Sequence, residues 1–372
     1  MLWTTALLLG LVHVTIPFGY YVFLRMLRGT PISKNEGYGP HVTIVLPTYN
    51  EARLISSKLD NVAQQQYPLD KVNVLVIDSG STDGTVDVVK KWEANNARLR
   101  LCIVHESQRK GKADALNTAL QHAPDDTMIF SDIDSLWAPD ALRNALSYFS
   151  DQKVGALTGT KEPLRQSGVD LEIQYRDLYN SVRILESRVH STPIFNGEFA
   201  GFRKNLLQAI GGFPVNVGAD DSHMATLIAL MGYRAIAVRD VIAYELIPRG
   251  IRAFSRWRVR RAKHLVQHFS ISIRRIGMAP SSFAPILATE AFLHLINPWL
   301  LLLTLALALV AIVLGEFPPW AWYVPASLGV LLVFRRVRQP FLVWVESQLI
   351  LCYAALSRMW SQELVWKKIS DA

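Results

Sequence analysis

Val74-Leu-Val-Ile-Asp78-Ser-Gly-Ser-Thr-Asp83 and, further along, Phe130-Ser-Asp132-Ile-Asp134 each place carboxylates directly after β-type apolar residues. Each run reads as a buried strand whose carboxyl end opens into a loop. In open α/β sheets, ligands bind outside such strand ends. Two aspartates one residue apart can hold a hard divalent cation that also grips a diphosphate. The pattern points to chemistry in which a nucleoside diphosphate is the leaving group.

Working outward from these landmarks, residues 41–250 alternate strand-like and helix-like segments, which predicts a mostly parallel sheet covered on both faces. Strands are expected at His41–Leu46, Val72–Ile77, Leu99–Val104, Thr127–Phe130, Val154–Gly159, Phe199–Arg203 and Arg234–Val238. Helices are expected at Ala52–Gln65, Thr85–Ala94, Lys112–Ala123, Pro139–Phe149 and Asp220–Met231. Asp83 suits the N-cap of the helix that follows it. No internal repeat is visible.

Half of the 372 residues are hydrophobic, and they are unevenly spread. Leu2–Leu24 carries no charge apart from His13, and Leu295–Gly315 carries none. About 20 apolar residues cross a bilayer core, so both read as transmembrane helices. Phe317–Phe334 is a third, weaker span, broken by prolines; Phe341–Leu356, with Glu346 inside it, reads as interfacial or re-entrant. Leu2–Leu24 lacks the basic start and small-residue cleavage site of a signal peptide. Basic clusters at Arg25, Arg28 and Lys34, at Arg335, Arg336 and Arg338, and at Lys367 and Lys368 are expected on the cytoplasmic side. The expected layout is an N-terminal membrane helix over 1–28, a cytoplasmic catalytic domain over 29–248, a basic interfacial segment over 249–280, and membrane and interfacial helices over 281–372. In a prokaryote the membrane would be the plasma membrane.

The formal net charge is +8. An anionic lipid surface or an anionic substrate accounts for it, and no zinc-finger spacing or stacking motif supports nucleic acid. The two cysteines, Cys102 and Cys352, have no metal-ligand spacing, and in a cytoplasmic domain they are expected as inert buried thiols rather than a disulfide.

Several motifs in order resemble the family 2 glycosyltransferases, whose catalytic domain has the GT-A fold. They are Pro47-Thr-Tyr-Asn-Glu51, Ile77-Asp-Ser-Gly-Ser-Thr-Asp83, Lys110-Gly-Lys-Ala-Asp-Ala-Leu-Asn117, Asp132-Ile-Asp134, Gly211-Gly-Phe213, Asp220-Asp221 and Gly232-Tyr-Arg234. The implied fold is an α/β GT-A domain with α-helical transmembrane segments. The resemblance implies that Pro47, Thr48, Tyr49, Glu51 and Asp78 hold the nucleoside and that Lys112 neutralises a phosphate. It implies that Asp134, with Asp132, binds Mg²⁺ or Mn²⁺ (Asp132 contacting ribose or the metal), an all-oxygen site suited to either ion. Asp220 stands where the family usually has Glu, so Asp221 is the carried-over general base for an inverting in-line displacement, with His223 a weaker rival. The adjacent carboxylate suits that role by raising the pKa.

Residues 249–264 hold seven Lys and Arg and no acid. On a helix, Arg256, Arg260, Lys263 and Gln267 share one face. The segment resembles the Gln-x-x-Arg-Trp element that covers the diphosphate in membrane-bound members, although Ala253 stands where Gln is expected before Arg256-Trp257; Arg260 is the preferred diphosphate contact. The layout is similar to that of ceramide glucosyltransferase and its relatives, which implies a membrane lipid acceptor. A hydroxyl acceptor needs a base, whereas a polyprenyl phosphate arrives ionised. A UDP-sugar is the commonest family donor, and a GDP-sugar is the alternative. Polyprenyl-phosphate sugar synthases, processive polysaccharide synthases and a non-catalytic nucleotide-sugar binder remain as competing readings.

Overall fold

The computed structural model describes residues 1–164, 170–246, 248 and 251–358; Arg249, Lys367 and Lys368 lie outside them. Strands β1 (Val42–Thr48), β2 (Val72–Asp78), β3 (Arg100–His105), β4 (Thr127–Phe130), β5 (Ser135–Trp137), β6 (Val154–Pro163), β7 (Ala200–Arg203) and β8 (Arg234–Glu245) form one sheet. Its order is β3-β2-β1-β4-β7-β6-β8-β5. Helices α1 (Leu2–Met26), α2 (Ile55–Ala63), α3 (Thr85–Asn95), α4 (Lys112–His122), α5 (Ala141–Tyr148), α6 (Asp170–Val189), α7 (Lys204–Ile210) and α8 (Asp220–Leu230) accompany it. Then follow α9 (Ile251–Ser272), α10 (Ala284–Leu295), α11 (Asn297–Val313), α12 (Tyr323–Val333) and α13 (Arg335–Arg358).

The central strands are nearly unbroken apolar runs because both of their faces are covered. Successive side chains point to opposite faces, so alternate residues enter different cores. Ile44, Leu46, Val74 and Val76 pack with Val89, Trp92 and Leu146. Val45, Leu75 and Ile77 pack with Leu116, Phe202 and Met224. Parallel register sets Thr48 beside Asp78 at the carboxyl edge, and Val45 beside Phe130, so Asp132 emerges at the same edge.

The sheet is less parallel than the sequence predicts. β7 runs antiparallel to β4 and β6, and β5 antiparallel to β8. Apolar periodicity reports which face a residue takes, not which way its strand runs. The antiparallel insertions matter for the site: Ala200 pairs with Phe130 and Ser135 with Glu245. They bring the segment before β7 and the end of β8 to the Asp132–Asp134 loop. Helix α2 starts later than expected because Asn50 adopts φ 55° and residues 51–54 form a turn. Asp83 is not the N-cap of α3; Gly84, at φ 87°, is. Cys102 is exposed and only Cys352 is buried, contrary to the expected pair of buried thiols.

Among the described residues, Leu2–Met26 and Arg335–Ser357 are long and apolar enough to cross a membrane, with a third crossing if α10 and α11, bent by 43°, act as one. The span expected at Phe317–Phe334 is not one continuous helix. A 3-10 turn at Pro319–Trp322 precedes α12, whose 11 residues rise about 17 Å, short of the roughly 30 Å core. Phe341–Leu356, expected to be interfacial, belongs to the longer α13, where Glu346 pairs with Arg258 at 2.6 Å. Helices α1 and α11 lie side by side: the Met1 ammonium reaches Glu316 at 3.1 Å, and His13 Nδ1 is 2.9 Å from the Asn297 carbonyl oxygen. Tyr20 donates to Glu186 at 2.6 Å, tying α1 to α6 of the catalytic domain.

Candidate active site

Two turns at the carboxyl edge are knitted together. Asn50 N–H donates to Ser81 Oγ at 2.8 Å and Thr82 N–H to Asn50 Oδ1 at 2.9 Å. Glu51 N–H donates to Thr85 Oγ1, and Ala52 N–H to Asp83 Oδ2. Asp83 is therefore a clasp between turns. The Arg109 guanidinium lies 4.0 Å over the Tyr49 ring. Asp78 is fully buried; it accepts from Ser81 N–H at 3.1 Å and Thr48 Oγ1 at 3.4 Å, and His105 Nδ1 lies 2.8 Å from it. The structure thus brings Pro47, Thr48, Tyr49, Glu51 and Asp78 to one edge, with the exposed His105 ring against the Asp78 carboxylate.

Beside this cradle lies the acidic crevice. Gly111, at φ 127°, turns the chain into α4, and Lys112 at its start donates to Asp132 Oδ1 at 2.6 Å. Asp132 N–H bonds to the Gly197 carbonyl at 3.1 Å. Ser131 and Ser135 hydroxyls bond to the Glu198 and Asp132 carbonyls at 2.9 Å. Lys112, Gly197, Asp220 and Asp221 line one small cavity of about 10 Å³. Burial opposes the Lys112 ammonium, but the charges of Asp132, Asp220 and Asp221 outweigh it and hold its pKa above the ordinary value. Asp221 Oδ1 accepts from Ser222 N–H at 2.8 Å. Desolvation and the Asp220 charge push its carboxyl up to about 7. Asp220 Oδ2 is buried with no hydrogen-bond partner. His223, the rival base, is buried, and desolvation lowers its pKa to about 4.

Asp134 lies two residues beyond Asp132 in the same turn, exposed at its tip. Surrounding protein and then the charges of Asp132, Glu245, Glu198 and Glu51 raise its pKa above the carboxylate range. Such unbalanced negative charge is what a divalent cation relieves, and the hard oxygen donors suit Mg²⁺ or Mn²⁺. Among the described residues no three acidic, His or Cys groups gather closely enough to hold an ion alone. The residues therefore fit an ion completed by substrate phosphates and water. Arg260 belongs here as well: burial and Arg261 lower its pKa, while Asp132, Asp134 and Glu245 oppose that.

Sequence reasoning missed the support beneath these groups. Lys161 lies 3.3 Å from Glu198 and 3.2 Å from Glu245; Arg176 lies 2.8 Å from Glu245. Arg261 bonds both glutamates, at 2.8 Å to Glu198, and sits 4.0 Å over the Trp257 ring. This cluster ties α9 and α6 to the sheet. Lys58, fully buried, donates to the Ser135 carbonyl at 2.9 Å, bracing the Asp132–Asp134 loop. The partners are distant in sequence, so no local spacing announces them. Breaking a buried ion pair costs about 3–5 kcal/mol, and Glu245→Ala is expected to lower the calorimetric unfolding midpoint of the full chain markedly. Gly197 was also missed: a Cβ there would lie 3.0 Å from both Asp132 Oδ2 and Lys112 Nζ. Gly197→Ala is expected to spread that pair and weaken nucleotide binding, read by equilibrium titration, while the fold persists.

A GT-A sheet with carboxylates and a lysine at its carboxyl edge defines a nucleotide-sugar transferase domain. Residues 43–211 match the model for Glycosyl transferase family 2, and residues 129–337 match that for Glycosyl transferase family group 2. The chain belongs to the family 2 glycosyltransferases and is an enzyme of that class. A mannosyltransferase from Pyrobaculum calidifontis, solved with GDP-Man and Mn²⁺, is 43% identical with a TM-score of 0.85, covering 97% of this chain and 99% of that one. Poly-beta-1,6-N-acetyl-D-glucosamine synthase of Staphylococcus aureus is 26% identical over 253 residues, 66% of this chain and 60% of the synthase. The chain thus spans about three fifths of the length of those synthases. The S. aureus TarS fragment 1–349, 20% identical with a TM-score of 0.50 over 68% of this chain and 71% of the fragment, shares the fold.

Proposed function

We propose that this chain transfers a mannosyl group from GDP-mannose to a hydroxyl of a membrane-borne acceptor, with inversion, at the cytoplasmic face. The observation that carries the reading is the gathering of Asp221, Asp220, Lys112 and Asp132 around one crevice. The likeness to a mannosyltransferase solved with GDP-Man and Mn²⁺ over nearly the whole chain favours that donor over a UDP-sugar. The exposed apolar side chains of α1 and α11, such as Leu8, Phe18, Leu305 and Leu309, favour a lipid environment.

In this reading, Pro47–Glu51 and Asp78 hold the nucleoside, and Lys112 and Arg260 draw charge from the diphosphate. A divalent ion, Mn²⁺ or Mg²⁺, on Asp134 and Asp132 would neutralise the developing charge on the leaving diphosphate. Asp221 takes the hydroxyl proton as the acceptor oxygen bonds to the anomeric carbon and the bond to the diphosphate breaks. Its raised pKa, held by Asp220, keeps it basic enough for that task near neutrality. No enzyme nucleophile is required.

The test is incubation of the full chain in membranes with radiolabelled GDP-mannose or UDP-sugars and Mn²⁺, followed by lipid extraction. Label passing from GDP-mannose into the lipid fraction is the expected result. Label from UDP-sugars alone, or in insoluble polymer, would overturn the reading and favour a polysaccharide synthase.

A further inference from the structure

Between α6, α9, α10 and α13 lies an open-sided cleft of about 130 Å³, lined by Lys161, Arg176, Arg183, Arg258 and Arg261 together with Trp257. No carboxylate lines it among the described residues. Behind its wall, Glu198 and Glu245 pair with Lys161, Arg176 and Arg261, and Glu346 pairs with Arg258. Glu186 and Glu290, hydrogen-bonded to each other, lie within reach of the Arg183 charge. Arg183 Nη1 donates to Asn196 Oδ1 at 2.8 Å, but its Nε is buried with no hydrogen-bond partner. A buried donor left unsatisfied costs free energy, and an oxyanion would satisfy it.

The cleft is coupled to the crevice by three consecutive residues. Asn196 bonds Arg183, Gly197 abuts Asp132 and Lys112, and Glu198 bonds Arg261. On the other side, Leu265, Ile350 and Leu351 supply an apolar wall. Exposed Leu349 and Tyr353 continue that surface along the membrane helix α13.

We propose that this cleft holds the phosphate group of a phosphorylated membrane lipid as an anchor, while a hydroxyl elsewhere on that acceptor reaches Asp221. The inference rests on the transfer reading above and deepens it. The phosphate is not the nucleophile and leaves the reaction unchanged. The hydroxyl proton passes to Asp221, the new glycosidic bond forms, and the nucleoside diphosphate departs. Arginine forks suit phosphate oxygens, and the apolar wall suits the lipid chain.

The experiment is equilibrium binding to the full chain in phosphatidylcholine nanodiscs, without donor, corrected with empty discs. Farnesyl phosphate, farnesol and inorganic phosphate are the probes. Farnesyl phosphate is expected to bind at least tenfold tighter than either of the others, and Arg183→Gln and Arg258→Gln are each expected to weaken it at least fivefold while leaving GDP affinity unchanged. The unchanged GDP affinity reports a folded catalytic domain in each variant. Equal binding of farnesol, equal binding of inorganic phosphate, or unchanged farnesyl phosphate affinity in both variants would overturn the assignment. Because no donor is present, failure here is separate from failure of GDP-mannose turnover.

Discussion

Asp221→Asn is expected to lower transfer about 10²–10⁴-fold, the usual contribution of a positioned general base, while GDP affinity in Mn²⁺ stays within about twofold. The amide keeps the shape of the carboxyl and its bond from Ser222 N–H but cannot accept a proton. The wild-type pH profile carries the same information. A base at Asp221 would work ionised, and desolvation and the Asp220 charge push its carboxyl up to about 7. The rate of transfer should therefore fall as pH drops through about 7 and level off above it. Asp220→Asn removes the neighbouring charge and should move that limb to lower pH. Transfer rates across a pH series check both statements, and an unshifted limb in Asp220→Asn would detach the two carboxylates.

Asp134→Ala is the second large effect. Removing a ligand forfeits several kcal/mol of charge stabilisation, and each 1.4 kcal/mol is tenfold. The expected result is a loss of about a hundredfold or more in Mn²⁺-dependent GDP-mannose affinity by titration calorimetry, with the weak metal-free binding unchanged. Asp134 tolerates this better than Asp132 would. The Asp132 carboxylate also holds Lys112 at 2.6 Å, so its loss would disturb the crevice wall as well as the ion.

The strands that end in the acidic motifs were legible because each couples an apolar run to a turn: Val72–Asp78 and Thr127–Phe130 fall where the sequence places them. The short β5, Ser135–Trp137, was not, since three residues carry no periodicity and exist as strand only because Glu245 pairs with Ser135. Helix α6 was hidden by its mixed charged and apolar surface. Asp221 and Lys112 were legible from family motifs. Lys58, Lys161, Glu198 and Glu245 were not, because a buried ionic cluster is a tertiary fact with partners from separate strands and helices. The basic helix shows both limits. The charges of Asp132 and Asp134 act on Arg260, whereas its neighbour Arg261 turns to Glu198, Glu245 and Trp257. Leu2–Leu24 falls within a helix long and apolar enough to cross a membrane, but hydropathy, which ranks apolar content, rated Phe317–Phe334 above Phe341–Leu356. Helix continuity depends on where Pro319 starts a turn and where Arg258 neutralises Glu346.

In the proposed mechanism, base and metal-held donor meet in one shared crevice. A crystal structure of the full chain with GDP-mannose and Mn²⁺ tests it most directly. The expected density places Mn²⁺ on Asp134 and Asp132 and sets Asp221 against the face of the mannose opposite the diphosphate, within about 3 Å of where an acceptor hydroxyl would sit. Mn²⁺ held elsewhere, or Asp221 turned away from the anomeric carbon, would contradict it.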